Sequence, residues 1–202
     1  MAITLNGSGT VTGVSVGGLP DGIVDADMLA SSSVTDAKLA SGVGGKVLQV
    51  VQATKTDTAS QSVGSGGHWD VSAPVATITP ASSSNKIIIS AMVSCSVNAD
   101  DHGLAMTILK DGSTISNIIG DANGNMGRFS IMNFHHLQWR SSFLHFSYVD
   151  TAGSTSAIAY KIRLAHDSGA TQTIYLNRTV STDDNDDRKR TASNIILTEV
   201  AA

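Results

Sequence analysis

The sequence predicts an all-β fold: an antiparallel jelly-roll sandwich over residues 46–202, preceded by an extended arm and a short neck built from repeats. Three observations carry that reading. First, the composition lacks strong helix formers. Glu199 is the only glutamate, charged residues make up 15% of the chain against about 25% in ordinary domains, and Ser, Thr and Gly are abundant. Such residues suit strands and turns. Second, Lys86–Val97 alternates almost strictly. Ile87, Ile89, Ala91, Val93, Cys95 and Val97 fall on one side, and Lys86, Ile88, Ser90, Met92, Ser94 and Ser96 on the other. A period of two is the signature of a strand with one buried face. Third, short runs of this kind recur at close, regular spacing with turn residues between them, which is the pattern of a sandwich.

Residues 1–20 hold Val11, Val14 and Val16 among glycines at 7, 9, 13, 17 and 18. A lone extended segment has two open edges and almost no core face, so it suits addition to another protein's sheet. Gly13-Val14-Ser15-Val16-Gly17 matches the G-x-S-x-G pattern of a hydrolase nucleophile. That elbow needs a buried strand before it and a helix after it. Here Leu19-Pro20-Asp21-Gly22 follows, a turn, so no catalytic Ser15 is expected.

Residues 21–45 repeat internally. Ile23, Asp25, Ala26 and Met28 recur as Val34, Asp36, Ala37 and Leu39, each 11 residues on. A fixed period points to a stacked or elongated architecture. Asp25 and Asp36, or Ser33 with Asp36, are placed to cap short helical turns. The large apolar residues of this stretch are Ile23, Met28, Leu29, Val34 and Leu39. Their burial gains too little to offset ordering some twenty residues. The segment is therefore expected to order only where copies wind together or where it lies on another protein.

Gly42-Val43-Gly44-Gly45 reads as a hinge, and the character of the chain changes at Lys46. Val47-Leu48-Gln49-Val50-Val51 opens the strands. Residues 104–110 and 114–119 flank Asp111-Gly112-Ser113, a hairpin turn. Residues 141–149 and 156–164 read as a second pair, the latter with Ile158, Tyr160, Ile162 and Leu164 on one face and Lys161 and Arg163 on the other. Residues 173–177 and 194–200 complete nine to ten strands.

The net charge is −4, with no basic stripe, so no nucleic-acid partner is expected. Met1-Ala-Ile-Thr-Leu-Asn has neither a basic start nor a long apolar run. No signal peptide is expected, and no membrane insertion. Cys95 is alone and lies on the apolar face of its strand, which makes it a buried, inert thiol. Adjacent strand residues point to opposite faces, so His135 and His136 do not share a metal within one chain; a ring of histidines about a threefold axis is the arrangement that would. The run 183–190 begins like a calcium loop, but Arg188 stands where its glycine belongs and Asn194 where its closing glutamate belongs. Glycan hydrolysis needs two carboxylates across a cleft. Asp100, Asp101, Asp150 and the aspartates of 183–187 show no pairing in their spacing. No enzyme activity, cofactor or metal is expected.

Several stretches resemble bacteriophage fibre proteins of the marine tailed-phage type. They are ITLNGSGTVTG and SVGGLPDGIVDADMLA near the start, the VTDAKLA repeat, Ser84-Asn85-Lys86-Ile87-Ile88-Ile89, Tyr148-Val149-Asp150, Ala159-Tyr160-Lys161-Ile162, and residues 193–200. The resemblance covers nearly the whole chain. It implies a homotrimer with an N-terminal arm (1–20) that attaches to another virion protein. A short neck (21–45) would be held by Ile23, Met28, Leu29, Val34 and Leu39, and the C-terminal knob (46–202) would be similar to the tumour-necrosis-factor-like jelly rolls. It implies a place in the virion, with assembly in the bacterial cytoplasm, and recognition of a host-surface glycan or protein. Exposed aromatics and polar loops would do this, the candidates being Trp69, His135, His136 and Trp139. Trp69 follows the run 64–67 and reads as a loop residue or as a lid over the core; Trp139 beside Arg140 reads as exposed or buried. The shaft has only two repeats, where many tail fibres have far longer ones. A capsid-mounted head fibre or a shell-stabilising decoration protein has the same sequence features.

Overall fold

The computed structural model describes residues 4–5, 11–12, 29–31, 33–35, 38, 46–135, 137, 140–181 and 189–202. The chain divides into two units, Met1–Gly45 and Lys46–Ala202. In the first, β1 (Thr4–Leu5) and β2 (Val11–Thr12) pair antiparallel, with Thr4 opposite Thr12 and Leu5 opposite Val11. Turn bonds run from Ser33 N–H to the Ala30 carbonyl and from Lys38 N–H to the Thr35 carbonyl. Asp25 and Asp36, the expected caps, lie outside the described residues.

The second unit is all-β. Its strands are β3 (Val47–Lys55), β4 (Ala59–Val63), β5 (Trp69–Ile78), β6 (Lys86–Val97), β7 (His102–Lys110), β8 (Ser113–Thr114), β9 (Ile131–His135), β10 (Ser142–Thr151), β11 (Ile158–His166), β12 (Gln172–Leu176) and β13 (Ser193–Val200). Every pairing is antiparallel, and the pairings are nested. Setting aside the short or collinear β4, β8 and β12, the first strand pairs with the last (β3 with β13), the second with the second-last (β5 with β11), then β6 with β10, and innermost β7 with β9. This is one long folded-back ribbon. Two lateral joins, β13 to β6 and β11 to β7, roll it into two sheets. Sheet I reads β3-β13-β6-β10 and sheet II β5-β11-β7-β9, which is a jelly roll. β12 and β4 continue sheet I beyond the end of β13 and β3.

The alternation of residues places the core. Ile87, Ile89, Ala91, Val93, Cys95 and Val97 of β6 all face inward and are buried. They meet Leu104, Met106 and Ile108 of β7, Ile158, Tyr160, Ile162 and Leu164 of β11, and Ile195 and Leu197 of β13. The thiol of Cys95 is pushed up to about 12 by burial, in keeping with an inert side chain. β13 shows how the sandwich is closed at its rims. Its inward residues are Ser193, Ile195, Leu197 and Glu199, polar at both ends and apolar between. Burial works against the Glu199 charge. Hydrogen bonds from the Asn85 amide (2.6 Å), from Gln49 and from the Ala81 N–H (2.8 Å) outweigh it and hold the carboxyl below its usual range. At the other rim, Asn177 has φ of 60° and is fully buried. Its amide donates to the carbonyls of Lys55 (2.8 Å) and Asp57 (3.0 Å), and its Oδ1 accepts from Ser193 Oγ (2.6 Å). Its own N–H donates to the Ser94 carbonyl (2.8 Å). One side chain thus bridges the breaks between β3 and β4 and between β12 and β13.

Three expectations are corrected. The hairpin turn at Asp111-Gly112 forms, with φ of 49° and 80°, values that suit a two-residue type I′ turn. Its second arm, however, is only β8; residues 114–119 do not continue as a strand. The chain winds instead into a 3-10 turn at Ser116–Ile118, which turns Ile118 inward to bury it. Residues 141–149 and 156–164 are not hairpin partners. β10 lies in sheet I and β11 in sheet II, because each carries one apolar face and the two faces meet across the core. The link between them is polar: Tyr160 donates to Asp150 (2.7 Å), which also accepts from Lys110 (2.8 Å). Burial and this hydrogen bond raise the Tyr160 hydroxyl far above its ordinary range. Trp69 is not in a loop. It opens β5 opposite Leu164 and packs partly buried against the core.

Candidate functional site

The outward faces of the two sheets differ in charge. On sheet II, Asp70 stands opposite Arg163, and Lys161 lies two residues before it on the same face. Arg163 and Asp70 form a two-bond fork (3.0 Å for the Nη2 arm), which holds the Asp70 carboxyl below its usual range. On sheet I the register lines up three rows of four outward residues: Val50, Thr198, Ile88, Val149; Gln52, Ile196, Ser90, Ser147; and Thr54, Asn194, Met92, His145. None is Asp, Glu, Lys or Arg. Val50 is 61% exposed, Val149 54% and Ile88 40%, and Phe143, next along β10, is 56% exposed. Lys86, bonded to Thr151 Oγ1 (2.8 Å), bounds the face at one end. Exposed large apolar residues in registered rows, without a charge among them, are the composition of an interface rather than of a solvated sheet. His145 sits within it, its Nε2 3.2 Å from Ser90 Oγ.

The residues singled out from sequence fall in several places. Leu29 and Val34 are exposed within the first unit, while Ile23, Met28 and Leu39 lie outside the described residues. His135, at the end of β9, is buried, with Nδ1 3.1 Å from Ser142 Oγ. His136 and Trp139 lie outside the described residues. The sheet I face was missed as a unit, although its signal was present: Ile88 and Met92 are apolar residues on the polar side of the alternation in β6.

A cleft of about 300 Å³ lies on sheet II. Ala105 and Ala165, cross-strand neighbours on β7 and β11, form its floor. Phe129, Met132, the loop Ser65-Gly66-Gly67 and Asp167 also line it. Asp167 Oδ1 accepts from the Gly103 N–H (2.7 Å) and lies 3.2 Å from His102 Nδ1. Gly103 leaves room there: a Cβ would come within 1.8 Å of Met132 Cε and 2.8 Å of Asp167 Oδ2, so those side chains would have to shift. His166 has both ring nitrogens hydrogen-bonded within the chain. Its Nδ1 accepts from the Ser168 N–H (3.2 Å), so Nε2 carries the proton and donates to the Val63 carbonyl (3.0 Å). Among the described residues, no cluster of His, Cys, Asp or Glu has a metal-binding arrangement.

No protein-family model and no curated protein matches the sequence. Among solved structures, the chain is similar to chains of infectious bursal disease virus. For the Gt strain the identity is 14% and the TM-score 0.38, covering 76% of this chain and 38% of that one. For the Gx strain the identity is 15% and the TM-score 0.39, covering 76% and 37%. For the VP2 subviral particle of that virus they are 13% and 0.34, again covering 76% and 37%. The chain therefore spans under two fifths of the length of each protein it matches here.

Proposed function

We propose that this chain is a virion structural protein, a short trimeric phage tail fibre that acts by binding and not by catalysis. Residues 1–20 attach it to another virion protein, residues 21–45 form a threefold neck, and the jelly roll of residues 46–202 faces the host surface. The observation that carries the assembly half is the charge-free outer face of sheet I. A face without formal charge meets copies of itself without like-charge repulsion, whereas the Lys161–Arg163 face of sheet II does not. Burying Val50, Ile88, Met92, Phe143 and Val149 between copies removes apolar surface that water otherwise covers. The virion half rests on the fibre-like stretches of the sequence. The mechanism is avidity: three weak sites on one knob raise effective affinity without new contacts.

Sedimentation equilibrium of the full chain tests the assembly. The wild type is expected at three times the 20.8 kDa chain mass. Ile88→Lys and Thr198→Lys should each shift it toward monomer without changing the circular-dichroism spectrum. A wild type that stays monomeric at micromolar concentration removes the basis of the reading. Immunogold labelling of particles with an antibody to the knob then locates it: gold at the tail supports the fibre, and gold over the head assigns the protein to the capsid.

A further inference from the structure

We infer that the cleft on sheet II is a saccharide-binding groove that takes a neutral oligosaccharide, with the Phe129 ring between two pyranose subsites. This rests on the host-recognition half of the proposed function and gives it a location. The first subsite is the Ala105–Ala165 cleft. The second is an adjoining depression of about 430 Å³ lined by the loop 120–131. The two share Gly127, Phe129 and Met132, so Phe129 and Met132 form a ridge between them. A groove of this form suits a chain of rings rather than one compact ion.

The chemistry of the walls selects the class. A pyranose has an apolar face of C–H bonds and an edge of hydroxyl donors. Phe129 and Met132 supply aromatic and aliphatic apolar surface for the face, above the nearly buried Ala105 and Ala165. Asp167 supplies the acceptor for the edge. Its Oδ1 is already fixed by Gly103 and His102, and among the described residues no donor is paired with Oδ2. The Gly103 N–H and the His102 ring already attend Oδ1, which leaves Oδ2 to accept from a hydroxyl donor. In the first subsite a few placed polar groups stand on a mainly apolar lining, the usual composition of a small-ligand site; the second is more polar and holds one acid and one base, Asp121 and Arg128, which together add no net charge. Small residues leave this opening: Gly103 allows Met132 and Asp167 to lie over β7, and the two alanines leave the floor low.

The test is saturation-transfer NMR on the full chain with a millimolar mixture of maltose, lactose and N,N′-diacetylchitobiose. Transfer to the ring protons of at least one disaccharide is expected. Phe129→Ala, a change in an irregular segment outside the sandwich, should reduce that transfer at least tenfold. Asp167→Asn should weaken it severalfold, with the thermal melts of both variants close to wild type. No transfer to any of the three sugars, or equal transfer in Phe129→Ala, overturns the inference. The oligomer mass is measured on the same sample. A trimer that binds no sugar removes the groove alone, and a monomer that binds sugar removes the assembly reading alone.

Discussion

Asn177 offers the sharpest test of how the sandwich is held at its broken rim. Asn177→Ala removes three side-chain hydrogen bonds, leaving the carbonyls of Lys55 and Asp57 and the hydroxyl of Ser193 without that partner. At about 1 kcal/mol net for each, the loss is about 3 kcal/mol. The backbone adds to it. At φ of 60° an alanine Cβ is strained, by about 1 kcal/mol more than asparagine, which tolerates the left-handed region. The expected total is about 4 kcal/mol. Asn177→Gly separates the two contributions, because glycine loses the same hydrogen bonds without the strain; it should cost about 1 kcal/mol less than alanine. Asn177→Asp should be worse than alanine at neutral pH, since a carboxylate would face two carbonyl oxygens. The measurement is urea unfolding of the full chain, followed by tryptophan fluorescence at one fixed protein concentration, because assembly shifts apparent stability. An alanine variant within 1 kcal/mol of wild type would mean that the amide does not hold the junction. A glycine variant as damaged as the alanine would sink the backbone half of the argument.

Three further outcomes are expected. Glu199 has a depressed folded-state pKa, so its contribution is fully present above its unfolded value of about 4.5 and is lost as pH falls through the folded value. Urea midpoints of Glu199→Gln should therefore lie below wild type at pH 7, by about 2 kcal/mol, and converge with it in acid; a constant gap down to pH 3 would refute the linkage. Arg163→Lys loses the planar fork to Asp70, but both groups are partly solvated, so the cost should be only about 0.5–1 kcal/mol in a thermal melt. A loss above about 2 kcal/mol would mean the pair is more than a surface clasp. Cys95 should resist a thiol reagent in the native protein and react on addition of denaturant; rapid native labelling would contradict its burial.

The class of fold was legible because β13 alternates cleanly and the apolar residues that a period of two selects in β6 and β11 are all buried, although Ser94, Ser96 and Ala165 on the opposite side are buried as well. β5 was less legible. Pro74 interrupts its pattern, and its register with β11 shifts between Lys161 and Arg163; an edge strand accepts a proline because one side of its ladder is open. β9 was hidden for a related reason: Met132, Asn133 and Phe134 are all exposed, so the strand has no alternation to detect. Strand partnership had no local signal. Residues 141–149 and 156–164 looked like neighbours because they are close in sequence, but apolar faces on opposite sides of one core separate them into different sheets. At the sites, the solitary Glu199 was visible as a composition oddity, yet its role depends on Asn85, Gln49 and Ala81, which are far from it in sequence. The cleft depends on Gly103, Ala105 and Ala165, small residues that carry no motif.

The nested ribbon also governs time. Its innermost rung, β7 with β9, closes a short loop, whereas β3 must find β13 from the far end of the domain, with Val47 opposite Val200 and the Ala201 N–H bonded to the Lys46 carbonyl. Closing long loops costs more entropy and delays their pairing. During synthesis β3 is made early and waits, with its inward residues Val51 and Ala53 uncovered, until β13 has left the ribosome. That interval is the window in which the chain can associate wrongly. Millisecond-to-second refolding, with the amides of β3 protected last in pulsed hydrogen exchange, is the kinetic signature this topology imposes.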